Sequence, residues 1–195
     1  MAIELPAKPG TRHIKYELLD FGFVQRGVGG GVTRIDRPGN RYRVTAIWPP
    51  MHPADARVFE TRMARGRAEG LRIPIPLLGE SQGTPGGTVV DGTDSGGTVL
   101  KLRGGNPGYQ FKEGYWLTLV HDGKASAHRV NAPAAVGADG KVTLAVEPPL
   151  RVFPDDGDEV NAAKPWIEGP VTALEPFEHP VTRRITLTCT IEEDS

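Results

Sequence analysis

Glycine or proline stands at 43 of the 195 positions of this chain, 25 and 18 respectively, and their spacing limits what the remaining residues can build. Proline has no backbone N–H to donate, and glycine loses the most conformational freedom when fixed, so neither favours the interior of a helix or strand. The stretches between them are mostly short and alternate apolar with polar side chains. That pattern predicts a mainly β fold with many turns and a single α-helix. No window approaches the roughly 18 apolar residues of a membrane-spanning helix, so no membrane association is expected. Met1 to Arg12 has no apolar run of the secretory kind. The one cysteine, Cys189, cannot close an internal disulfide.

His13–Leu19, Phe21–Gln25 and Val32–Asp36 read as short strands. Asn40–Trp48 alternates cleanly, with Tyr42, Val44, Ala46 and Trp48 on one face and Arg41, Arg43 and Thr45 on the other, until Pro49-Pro50 ends it. The helix follows. Pro53 suits its first position, Asp55 its first turn, and Ala56, Phe59 and Met63 form one apolar stripe. Gly66 weakens it and Gly70 stops it. Leu71–Ile75 runs into Pro74 and Pro76 and reads as an edge strand.

Gly79–Gly97, rich in Gly, Ser, Thr and Asp with Val89-Val90 embedded, reads as a linker into a second module. There Thr98–Arg103, Tyr115–His121, Ser126–Asn131 and Lys141–Glu147 are strand-like, and Asp122-Gly123 and Asp139-Gly140 carry the signature of tight hairpin turns. Pro165–Leu174 supplies one or two strands. In Thr182–Glu192, Ile185, Leu187, Cys189 and Ile191 face one way and three threonines the other, so this strand must lie on a core. The expected organisation is a discontinuous outer domain, 1–77 with 165–195, and a small barrel-like all-β module, 80–164, inserted within it.

The net charge of −1 conceals an asymmetry: residues 1–75 carry +6 and the remainder −7. Nucleic acid is set aside as a partner, because the arginines, Arg37, Arg57, Arg62, Arg65, Arg67 and Arg72 among them, are spread over several elements with no aromatic interleaving. A solvated face, or a surface that meets an acidic partner or the acidic part of a neighbouring copy, accounts for the split better.

No constellation argues for an enzyme. Gly27–Gly31 lacks the third glycine of a dinucleotide loop and is followed by strand-like residues, so it reads as a hairpin loop. His13, His52, His121, His128 and His179 lie in no metal motif. A two-residue turn at Asp122-Gly123 would pair His128 with Leu117, placing His121 and His128 about 13 Å apart at 3.3 Å per residue, too far to share an ion. Asp155–Glu159 lacks the calcium-loop spacing and reads as a solvated turn. Asp91 and Asp94 have no apolar shell to make a glycosidase pair. Cys189 falls on an apolar strand face, where an inert thiol is expected. Among Tyr109, Phe111, Tyr115 and Trp116, Tyr109 and Trp116 are the candidates to stack on a sugar, the basis of an alternative reading as a carbohydrate- or host-surface-binding module of a virion. No cofactor or metal is expected.

Several stretches, in order, carry a resemblance: Leu18-Leu19-Asp20-Phe21-Gly22 with the glycine loop and Arg34–Gly39; Val44–Met51 running into Pro53-Ala54-Asp55-Ala56-Arg57; Gly83-Thr84-Pro85-Gly86 with Val90-Asp91-Gly92; Phe111–Trp116, His128-Arg129-Val130, Asp139-Gly140 and Glu147-Pro148-Pro149-Leu150-Arg151; and Ile167-Glu168-Gly169. In these the chain resembles the distal tail proteins of siphophages and prophages. The resemblance implies a virion structural protein with a belt-type β-sandwich carrying one helix. It also implies a ring, commonly a hexamer, that joins the tail tube protein to the tip or baseplate hub. The partners it implies are further copies of the chain, the tube protein and the hub proteins. Arg26, Gly29, Gly30, Arg34, Arg41 and Arg43 are then the candidates for contact between subunits.

Overall fold

The computed structural model describes residues 2–27, 29–35, 39–77, 79, 81–177 and 184–194. Asp36, Arg37, His179 and Thr182, named above, lie outside the described residues. In chain order the elements are β1 (Ile3–Glu4), β2 (His13–Leu19), β3 (Phe23–Arg26), β4 (Val32–Ile35), β5 (Arg41–Ile47), α1 (Pro53–Glu69), β6 (Leu71–Pro74), β7 (Gly86–Val90) and β8 (Val99–Gly105). There follow β9 (Gln110–Phe111), β10 (Trp116–His121), β11 (Lys124–Val130), β12 (Ala134–Ala135), β13 (Val142–Glu147), β14 (Glu159–Asn161), β15 (Trp166–Gly169), β16 (Val171–Leu174) and β17 (Thr188–Glu192). The protein is mainly β with one helix, and one of its sheets is a closed barrel.

Alternation along the sequence becomes burial. In β5 the Tyr42, Val44 and Ala46 side chains are buried and their neighbours half-buried. On β17 Cys189 and Ile191 are buried, and Ile185 and Leu187 lead into them. These two strands pair antiparallel at the centre of a four-stranded sheet, β16-β17-β5-β2. A three-stranded sheet, β1-β6-β15, and the stripe of Ala56, Phe59 and Met63 on α1 share the same core. His52 caps the helix, its ring nitrogen accepting from the Ala54 N–H, and Gly70 ends it at φ 80° with its N–H donated to the Gly66 carbonyl. Gly66 has a packing reason to be glycine: a Cβ there would meet Val171 Cγ2 at 3.0 Å and Leu71 Cβ at 3.1 Å.

The edge assignment of Leu71–Ile75 is corrected, for β6 is the middle strand of its sheet. Proline is tolerated because β1 spans only Leu71 and Arg72. Ile75 donates to Pro165 of the β15 side, so Pro74 turns its nitrogen the other way, past the end of β1.

The second core lies inside the barrel, in the order β10-β11-β13-β8-β7-β14 with β14 closing back on β10. Leu100, Leu102, Leu117, Leu119, Leu144 and Val160 fill it. The linker reading of Gly79–Gly97 is corrected by β7, a barrel strand. Its glycines serve close approach: a Cβ on Gly86, at φ 101°, would meet the Gly104 carbonyl oxygen at 2.6 Å. The Asp122-Gly123 turn has φ 48° and 74°, both positive as the two-residue hairpin requires, and His128 pairs with Leu117. At Asp139-Gly140 only the glycine has positive φ, and the chain turns through Gly137–Lys141 with Gly137 donating to the Lys141 carbonyl. That turn is wider than the sequence signature suggests.

Candidate functional site

Between β2 and β5 the chain leaves the sandwich. β3 and β4 pair only with each other, Phe23 with Ile35, Val24 with Arg34, Gln25 with Thr33 and Arg26 with Val32. All eight residues of the ribbon are exposed. Gly27 and Gly31 close its tip with a 2.8 Å backbone hydrogen bond, and Gly30, at φ 79°, makes the turn. At its base the Asn40 side chain accepts from the Phe21 N–H, and Asp20 holds the Gly22 N–H and the Arg34 guanidinium. These donors hold the Asp20 carboxyl below its usual range, the Gly22 N–H first among them.

The composition of this ribbon is what sets it apart. Phe21, Phe23, Val24, Val32 and Ile35 are all exposed, Val24 at 55% and Val32 at 65%. A two-stranded ribbon has marginal stability in water without something beneath it. Opposite residues share a face. One face therefore carries Phe23 and Ile35 with Gln25 and Thr33, and the other Val24 and Val32 with Arg26 and Arg34.

The arginine candidates divide. Arg26, Gly29, Gly30 and Arg34 lie together on the ribbon or its tip. Arg41 and Arg43 lie on the neighbouring sheet: both guanidiniums bind Glu192 on β17, at 2.7 and 3.0 Å, and Arg41 also covers the Phe21 ring at the ribbon's base, 4.9 Å from its centroid. Arg72 similarly spans Glu168 and Glu4, and Arg65 pairs with Glu69 one turn on. Arg41, Arg43 and Arg72 are thus answered by Glu192 and Glu168 of the C-terminal strands, which the linear charge count placed in the other part, whereas Arg65 pairs within residues 1–75. Arg26 has no ionic partner among the described residues.

The aromatic candidates turn inward. Trp116 is only 8% exposed. The Tyr16 and Tyr42 rings pack on it at 5.0 Å and the Arg129 guanidinium covers it at 4.1 Å, so no open face remains for a sugar. That expectation is corrected. Alternation placed Trp116 on a strand but could not show that the outer sheet lies across its ring. Tyr109 is half-buried, edge-on to Phe111 at 4.9 Å, with its hydroxyl donated to the Gln82 carbonyl.

Asp156, Asp158, Asp91 and His128 have structural partners. Asp156 binds Arg103 and the Gly92 N–H, and Asp158 binds His121 Nδ1 at 2.7 Å, which raises the His121 pKa. The acidic turn is thus an ion-pairing corner of the barrel. Asp91 is held by Lys141 at 2.7 Å. His128 is buried with Nδ1 on the Pro148 carbonyl and Nε2 on the Ser126 hydroxyl, and burial lowers its pKa to about 4. Burial pushes the Cys189 thiol up to about 12. Among the described residues no three His, Cys, Asp or Glu side chains gather as metal ligands, and no helix is long and apolar enough to cross a membrane.

Sequence reading missed Glu193. Its buried carboxylate accepts from the backbone N–H of Tyr42, on the outer sheet, and of Ala127, on the barrel, with Arg151 at 3.7 Å. Burial outweighs these contacts and raises its pKa. A lone acidic residue after an alternating strand gives no signal of such a role. The sequence matches no family model and no curated protein, so the likeness to distal tail proteins rests on the ordered stretches quoted above, and the fold stands as a mainly β protein with one helix and a closed barrel.

Proposed function

We propose that this chain is a structural component of a phage tail, a distal tail protein that forms a ring between the tail tube and the tip or baseplate hub. It acts within the virion by assembly and carries out no catalytic step. The observation that carries this reading is the exposed ribbon β3–β4. Contiguous apolar surface on a soluble subunit marks an interface, and here it is borne on a projecting element that has no core of its own. In a ring the arm of one copy lands on a different surface of its neighbour. Such a head-to-tail contact generates a ring when the rotation closes. The resemblance to distal tail proteins supplies the expected closure, a hexamer, and the expected neighbours, the tube protein and the hub.

Mass spectrometry of purified particles produced by the source phage or prophage tests the reading. The chain is expected among the tail proteins at a few copies per particle, on the order of one ring. Its consistent absence from intact particles would overturn the proposal. Light scattering with negative-stain imaging of the purified chain then reports the closure.

A further inference from the structure

The Val24 face of the ribbon has a definite chemistry: Val24 and Val32, with Arg26 and Arg34 beside them. A surface that receives it must be apolar in the middle and acidic at the rim. The hollow of about 220 Å³ lined by Leu5, Pro6, Trp48, Pro74 and Pro76 is apolar, yet no carboxylate lines it. The barrel offers the better match. Phe153 is 79% exposed and is the most exposed large apolar side chain among the described residues. Its ring lies beside Gly96, where a Cβ would meet Cε1 at 2.9 Å and Cδ1 at 3.2 Å, so one side of it rests on backbone while most of it is open. Val99, which exchanges backbone hydrogen bonds with Gly96 and is itself exposed, extends the patch.

Carboxylates flank it. Asp155 is two residues from Phe153, exposed, and without an ionic partner among the described residues. Its N–H, donated to Asp158 at 2.8 Å, fixes the turn that presents it. Asp94 lies two residues from Gly96 with its side chain 80% exposed. Residues 80–164 as a whole carry eleven acidic against eight basic side chains. Arg26 on the ribbon and Asp155 beside Phe153 are thus complementary charges, neither in a salt bridge among the described residues, although Asp155 contributes to the field at His121, and each next to exposed apolar side chains.

We propose that the ribbon of one copy docks on the barrel of the next, with Val24 and Val32 against Phe153 and Val99, and Arg26 paired with Asp155. The proposal rests on the ring reading and assigns the acceptor surface. Residues 21–35 and 94–99 with 152–155 are different surfaces of one chain, so the contact is head-to-tail and leaves each copy with one arm and one acceptor to continue the assembly.

Two cysteine variants test it. Chains with Val24→Cys and chains with Phe153→Cys are purified separately, mixed and oxidised; the native Cys189 is buried and contributes little. A disulfide-linked pair is expected from the mixture and from neither variant alone. Charge exchange gives the second readout. Arg26→Asp and Asp155→Arg should each raise the concentration for half-assembly about tenfold, and combining the two reversals in one chain should recover most of the loss. Both sites are exposed, so the unfolding midpoint should stay unchanged. Assembly without the 24–153 link, assembly indifferent to Arg26→Asp, or a monomer at every concentration reached would each overturn the contact. The particle test above is independent. A chain found in particles but lacking this link keeps its tail role and loses this acceptor surface, whereas a chain that links but is never found in particles does the reverse.

Discussion

Gly169 joins the two sheets of the sandwich: β15 ends on it in one sheet, and after Pro170 β16 begins in the other. A Cβ built on Gly169 would overlap the Glu192 carbonyl oxygen and crowd the Glu193 Cα. Those neighbours are backbone of the central strand β17 and have nowhere to move. Gly169→Ala is therefore expected to destabilise by more than about 3 kcal/mol, a size reserved for backbone overlap and buried-site defects; urea unfolding monitored by tryptophan fluorescence measures it. His128 makes a different residue-scale prediction. Its folded pKa, about 4, is below the ordinary 6.5. The unfolded chain therefore binds the proton more readily. The stability due to neutral His128 is complete above pH 6.5, falls as the pH drops towards 4, and falls no further on its account below that. The loss is on the order of 3 kcal/mol. Comparing the wild type with His128→Gln across pH 4–7 should show the variant with the shallower slope. Neither role was legible in the sequence. A glycine and a histidine are visible there, but the atoms that crowd Gly169 lie more than twenty residues away, and the burial of His128 depends on the closing of the barrel.

At the scale of elements, local rules succeeded where partners are near in sequence. The Asp122-Gly123 hairpin has the register that its turn dictates, and the strand from Arg41 to Ile47 buries the face its alternation marks. They failed where partners are distant. β7 was hidden in a glycine-rich stretch because glycine reads as flexibility, whereas here it allows β7 to cross the backbone of Gly104 and Gly105 closely. Pro74 signalled an edge, yet it occupies a middle strand where a two-residue neighbour leaves room for it. The ribbon β3–β4 was legible as two short strands about a hairpin loop, but its pairing with no other sheet was not. That isolation gives the element-scale prediction. Phe23→Ser with Val32→Thr should leave the stability of the protomer within about 0.5 kcal/mol of the original, as exposed substitutions do. The same pair should abolish self-assembly in light scattering. A large fall in the unfolding midpoint would show instead that the ribbon packs on its own protomer.

The whole molecule has two hydrophobic cores, and their junction determines whether they behave as one. Trp116 begins a barrel strand but belongs to the sandwich core, wedged between Tyr16 and Tyr42, and Ala127 crosses with it. Glu193 ties the same seam from the other direction, with one oxygen on the Tyr42 N–H and the other on the Ala127 N–H. The sequence marked a change of texture near residues 80 and 164. It could not mark a seam made from a tryptophan and a glutamate 77 residues apart in the chain. Because apolar packing and buried hydrogen bonds both cross the boundary, heating should unfold the two cores in a single transition, with the calorimetric and van't Hoff enthalpies in agreement. Glu193→Ala leaves two buried N–H groups without an acceptor, each expected to cost about 1–3 kcal/mol, and removes the acidic partner of Arg151. The damage falls on the seam and spares the interior of each core. The variant should therefore show two resolved transitions, or one with a van't Hoff enthalpy well below the calorimetric value. A single shifted transition that remains two-state would mean that the other contacts across the seam, those of Trp116, Ala127 and the Thr118–Trp166 hydrogen bonds among them, are sufficient to couple the cores.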